Sequence, residues 1–195
     1  MEGIKTFQEL DAGCSRMLTE VPRNCLMANA PFMKWMQGSL SVCAFFALAG
    51  ALEYMDKKKE AMEIAKAGIA FTENRELMTM AQFPYIVRLL ERQKTIRQIQ
   101  RLSATDLVKE EKGIRLVKLV CNDQNQSHAV AIVGKWIFDS NVYMALSLSK
   151  ESLEWCVNGS KVRMLCGYRI TFNKQYNQAS KRQRQRQKKK KALAL

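Results

Sequence analysis

Residues 128–141 read His-Ala-Val-Ala-Ile-Val-Gly-Lys-Trp-Ile-Phe-Asp-Ser-Asn. Two short runs of β-branched and aromatic residues flank Gly134-Lys135, a Gly-X pair that suits a two-residue type II′ hairpin turn. In such a hairpin the numbers of opposed residues sum to 269, so His128 faces Asn141 and Val130 faces Asp139. Side chains alternate along a strand, and His128, Asp139 and Asn141 therefore project from one face. Asp139 lies diagonal to His128, within reach of a side-chain contact. A carboxylate there fixes the imidazole tautomer and favours its charged form. A slip of one residue in the turn would send the two groups to opposite faces. The plainer alternatives are that His128 is a structural strand residue and that Asp139-Ser140-Asn141 is a polar turn.

Working outward, Arg115–Cys121 (RLVKLVC) and Val162–Phe172 (VRMLCGYRITF) are further strand-like runs, bounded by Asn, Asp, Gln and Gly. Ser149–Cys156 (SKESLEWC) reads as one or two helical turns opening on a Ser cap. The first half of the chain has a helical period. Residues 43–55 (CAFFALAGALEYM) and 57–71 (KKKEAMEIAKAGIAF) predict two helices, the second with Ala61, Ile64, Ala65 and Ile69 on one face. After Pro84, YIVRLLERQKTIRQIQRL predicts a third helix, its apolar face made of Ile86, Leu89, Leu90, Ile96, Ile99 and Leu102. Helices first and strands afterwards indicate an α+β domain, the helical half packed on an antiparallel sheet.

The chain has 195 residues, 47% of them hydrophobic and 26% charged, which is the composition of a globular protein. Its formal net charge is +14. Eight of the positive charges, Lys181, Arg182, Arg184, Arg186, Lys188, Lys189, Lys190 and Lys191, fall within residues 181–191, so the remainder of the chain carries only +6. The basic character is mostly a property of the tail, which predicts an anionic partner for the tail alone. From 174 onward no apolar period survives, and a disordered segment is expected. Six cysteines are too sparse for a disulfide framework. The N-terminal MEGIKTFQELDAG carries Glu2, Glu9 and Asp11 and no apolar core of a signal peptide, and the longest apolar run, Val42–Leu52, is half a membrane span. The expectation is an intracellular protein of the cytoplasm or nucleus with no membrane contact.

His128 is the single histidine, so any Cys/His, Ser/His or His-metal chemistry has to use it. Cys43 opens an apolar helix, and a helix N-terminus favours a thiolate through its exposed N–H groups. Its plainer reading is a buried, inert thiol. Gln37, six residues earlier, supplies an amide able to donate, with the Cys43 N–H, to a developing oxyanion. Nucleophile, base, orienter and oxyanion donor are then all on hand in Cys43, His128, Asp139 and Gln37.

These residues resemble the papain-like cysteine proteases. Gln37-Gly38-Ser39 leading to Cys43 and Phe45 is similar to the family's Gln-Gly-Ser-x-x-x-Cys-x-Phe. His128-Ala129-Val130-Ala131 followed by Val133-Gly134 is similar to its His-Ala-Val-Ala-x-Val-Gly. The order of Cys helix, His strand and then Asp or Asn is shared too. Ala44 stands where the family has Trp, Leu40 where it has a disulfide cysteine, and Asp139-Ser140-Asn141 where it has Asn-Ser-Trp. The resemblance covers about residues 37–172. It implies Cys43 as nucleophile, His128 as general base and acid, Asp139 as orienter and Gln37 as oxyanion-hole amide, in a hydrolase acting on a peptide or isopeptide carbonyl.

The rival classes are weaker or use other parts of the chain. No C-x-x-C pair suggests a zinc site and no G-x-x-x-x-G-K-[ST] a phosphate loop, so neither metal nor cofactor is expected. Nucleic-acid binding is the serious alternative: the tail could neutralise phosphates of RNA or DNA or address a nuclear import receptor, and Lys94, Arg97 and Arg101, near Arg88 and Arg92, would line the third helix. In that reading the papain-like domain is inactive and serves interaction. The division expected is an N-terminal extension at 1–36, a papain-like catalytic domain at 37–173 and the basic tail at 174–195.

Overall fold

The computed structural model describes residues 21–27, 29–35, 42–73, 82–103, 106, 112–121, 127–157 and 161–173. Three helices, α1 (Cys43–Tyr54), α2 (Lys58–Glu73) and α3 (Gln82–Glu91), precede the strands β1 (Ile96–Leu102), β2 (Ile114–Cys121), β3 (Ser127–Val133), β4 (Trp136–Phe138) and β5 (Leu146–Ser147). A short helix, α4 (Lys150–Trp155), leads to the long closing strand β6 (Val162–Phe172). The strands form one antiparallel sheet in the order β1-β6-β2-β3-β4-β5, and the chain is α+β. Among the described residues no helix is long and apolar enough to cross a membrane.

Both faces of the sheet are covered, which is why β3 and β4 read as nearly continuous apolar runs instead of alternating ones. On one face Leu116, Ala129, Ala131 and Ile170 pack against α1, α2 and α3. On the other, Val117, Leu119, Val130 and Ile132 meet Val21, Cys25, Val142, and Leu153 and Cys156 of the α4 region. α1 is sandwiched between α2 and the sheet and is buried from Ala44 to Leu52, so its sequence is apolar all round. Close packing of α2 on α1 depends on Gly68: a Cβ there would stand 2.8 Å from the Phe45 Cβ.

The 43–55 and 57–71 helices, the Ser-capped turn and the strands at 115–121, 128–133 and 162–172 appear within a residue or two of their expected bounds. Ser149 Oγ accepts from the Ser152 N–H at 3.1 Å, capping α4. One expectation fails. The third helix stops at Glu91, and Ile96–Leu102 is the edge strand β1, paired with β6. The cause is a register irregularity between Ile96 and Gln98: Ile96 pairs with Phe172 but Gln98 with Thr171. The extra residue, Arg97, restores Ile96 and Ile99 to the same, core-packed side although they are three apart. A bulged strand thus imitates the i, i+3 spacing of a helix. Arg97 and Arg101 consequently sit on a strand and not on a helical face continuous with Arg88 and Arg92.

Residues 21–27 and 29–35, which fall in the stretch read as an extension, contribute to the body of the fold. Val21, Cys25 and Met33 are buried, the Met33 N–H donates to the Tyr143 carbonyl at 2.6 Å and the Ala145 N–H to the Pro31 carbonyl at 2.8 Å. Glu53 of α1 accepts from Lys34 Nζ at 2.6 Å and from Trp35 Nε1 at 3.0 Å, tying the same stretch to the helix that carries Cys43. The basic tail lies outside the described residues.

Candidate active site

The hairpin that positions His128 has the register expected of it. Ala131 pairs with Phe138, Ile132 with Ile137 and Val133 with Trp136, around Gly134-Lys135. Gly134 has φ +55°, the left-handed conformation that the first central residue of such a turn requires. The buried Arg115 of β2 donates from Nη2 to the Gly134 carbonyl at 3.2 Å, so the turn is held against the neighbouring strand. β4 ends at Phe138, leaving the first residues of β3 without a β4 partner and the chain free to turn at Asp139.

At that open end His128 and Asp139 meet. The imidazole Nε2 and Asp139 Oδ1 are 2.8 Å apart, with the His128 side chain 11% exposed and that of Asp139 fully buried. Oδ1 also accepts from the Asn141 N–H at 2.9 Å. Asn141 therefore acts through its backbone, where the sequence suggests a side-chain role. The Cys156 thiol is fully buried beside the same carboxylate, and burial, followed by the charge and hydrogen bonding of Asp139, pushes it well above the ordinary thiol range. Asp139 Oδ2 has no partner with full hydrogen-bond geometry, so that thiol is a weak companion to it.

Cys43 is the first residue of α1 and is half-buried. Val42, which precedes it, offers no side-chain cap. The vacant capping role is filled from α3, where Gln82 Oε1 accepts from the Ala44 N–H at 3.3 Å. The thiol lies against the His128 ring, and with Nε2 engaged by Asp139, Nδ1 is the nitrogen left to face it. Burial works to lower the His128 pKa, but the charge and hydrogen bond of Asp139, joined by the hydrogen bond and charge of Cys43, outweigh it and raise the imidazole to about 10. A ring that keeps its proton there is paired on both sides with acceptors or acids.

Cys43 and His128 open onto a cleft of about 180 Å³, with Asp139 buried behind the histidine. Gln82 and Phe83 of α3, Lys118 of β2 and Ser127 of β3 line the rest. Cys43, His128 and Asp139 are thus brought together, while Gln37 and the basic residues 181–191 lie outside the described residues. Gln82, Lys118, Ser127 and Cys156 are site residues that the sequence reading misses. Lys118 left a trace, as the charge interrupting the apolar run of RLVKLVC. Gln82 left none, since its role depends on how α3 meets the start of α1. Among the described residues no three His, Cys, Asp or Glu side chains gather as a metal site. No family model, curated protein or solved structure matches the chain.

Proposed function

We propose that the chain is a papain-like cysteine peptidase or isopeptidase. The observation that carries the reading is the continuous line Cys43–His128–Asp139 opening on a cleft, with the imidazole held between a thiol and a buried carboxylate. In this reaction the Cys43 thiolate, whose proton the His128 imidazolium already holds, adds to a peptide or isopeptide carbonyl carbon. The Cys43 N–H, at the positive end of α1, donates to the resulting oxyanion, with Gln37 as the second donor. Imidazolium gives its proton to the leaving nitrogen as the C–N bond breaks, leaving an acyl thioester. Water, deprotonated by His128, then attacks the thioester and returns the free thiol and a carboxylate. Asp139 stabilises imidazolium throughout and fixes which nitrogen faces the sulfur. The basic tail is proposed to serve a separate purpose, binding RNA or DNA or a nuclear import receptor through its clustered lysines and arginines.

The deciding experiment pairs labelling with turnover. A peptidyl vinyl sulfone should alkylate Cys43 ahead of every other cysteine at mildly acidic pH, mapped by mass spectrometry, and His128→Ala should abolish the selectivity. A peptide library incubated with the wild type should show cleavages missing with Cys43→Ala. Equal labelling of all accessible thiols, together with identical library profiles for the two proteins, would overturn the proposal.

A further inference from the structure

The chemistry of the cleft wall beyond Cys43 and His128 is uneven. Gln82 and Ser127 are neutral, Phe83 is apolar, and Lys118 carries a positive charge. His128 is already matched by Asp139 at 2.8 Å. Lys118 has no such match: among the described residues no carboxylate forms an ion pair with it, and none lines the cleft. It is also an unusual place for a lysine. Lys118 sits in the interior of β2, paired with Ala129 on one side and Cys166 on the other, and its nearest neighbours in β2, Val117 and Leu119, are fully buried. The sheet therefore holds a half-buried lysine on the strand next to the one that carries the histidine.

The strand is irregular at the same point. The β2–β6 register shifts between Lys118 and Leu119, so that Lys118 opposes Cys166 while Leu119 opposes Met164. The extra residue, Leu165, belongs to β6, so the ladder is disrupted directly across from Lys118. A cation in the wall of a concave cleft attracts a carboxylate bound there more strongly than one on an open surface.

We propose that Lys118 makes this cleft select an acidic peptide, one whose aspartate or glutamate side chain lies adjacent to the bond attacked by Cys43. This rests on the peptidase reading for the identity of the bond but on the cleft wall for the charge of the ligand. Lys118 and Cys43 line one and the same cleft, which places the recognised carboxylate close to the reacting carbonyl. Lys118 acts as a specificity residue: it holds substrate and takes no part in proton transfer.

The test uses matched peptidyl fluoromethyl ketones that differ only in glutamate or glutamine beside the reactive carbonyl, with Cys43 alkylation followed by intact mass. The wild type should react about fivefold faster with the glutamate reagent at low ionic strength, the gain expected of one partly screened charge pair, and the preference should shrink as salt is added. In Lys118→Met the ratio should fall to about one, and in Lys118→Glu it should invert in favour of the glutamine reagent. The Cys43 rate with iodoacetamide, which is small and uncharged, shows that each variant keeps its site. A wild-type ratio of one, or a ratio unchanged in Lys118→Met, overturns the proposal. Should Cys43 resist even iodoacetamide, the peptidase reading falls separately. The acidic-peptide site is then judged by calorimetric titration of Cys43→Ser with the glutamate and glutamine peptides, where equal affinities would refute it.

Discussion

His128 Nε2 lies 2.8 Å from Asp139 Oδ1, an oxygen that the Asn141 N–H also reaches at 2.9 Å. The carboxylate is thereby fixed from its own turn before it fixes the histidine. Asp139→Asn keeps an oxygen for both donors and removes the charge, so the His128 pKa should fall from about 10 towards its ordinary value. Titration of the single histidine by NMR checks it. Asp139→Ala leaves both donors without an acceptor in a buried place, and should cost about 3–5 kcal/mol in chemical denaturation.

The same pair makes stability depend on pH. Folding raises the His128 pKa from 6.5 to about 10, so the protonated ring stabilises the native state fully below 6.5, and that contribution is lost as pH rises through about 10. Calorimetric melting should show the wild type losing more stability between pH 7 and pH 10 than Asp139→Asn does, the difference amounting to roughly a few kcal/mol. Parallel losses in the two proteins would contradict this linkage.

Gly68→Ala tests the packing behind Cys43. Alanine favours a helix by about 1 kcal/mol over glycine, but its methyl group would meet the Phe45 Cβ at 2.8 Å, where neither atom can swing aside. A net destabilisation of about 1–3 kcal/mol is expected from overpacking. Because Phe45 follows Cys43 by two residues on α1, the rate of Cys43 alkylation should fall as well. A Tm equal to or above that of the wild type would show that the two helices separate more easily than their contact suggests.

Deleting residues 174–195 should leave the Tm nearly unchanged, since that segment has no apolar face to bury. Affinity for RNA or DNA should drop sharply and lose most of its salt dependence, because the clustered cations of 181–191 release the counterions. Full, salt-sensitive binding by the truncated protein would move the interface to the arginines between Arg88 and Arg101.

Legibility from the sequence followed how local each feature is. The hairpin register depends on a two-residue turn and a period of two, both visible in residues 128–141, and the placement of Asp139 near His128 came with it. β1 was misread because its bulge at Arg97 gives a strand the spacing of a helix, and only pairing with β6 decides between them. Gln82 belongs to the site through a contact spanning 38 residues, and Cys156 through the packing of α4, so no local pattern announces either. The burial of Val21, Cys25 and Met33 is hidden for the same reason: Met33 and Pro31 are anchored by a loop more than a hundred residues later.

The two sides of the sheet each own a part of the site. Cys43 rides on a helix of one layer, whereas Asp139 is backed by Cys156 of the opposite layer, and His128 reaches between them from the sheet itself. A molecule whose helices have come away keeps the carboxylate but not the thiol, and one that has lost α4 keeps the thiol without a buried partner for Asp139. Neither fragment keeps all four groups in place. The arrangement around His128 therefore requires both layers on the sheet at once, and loosening of either one disturbs it.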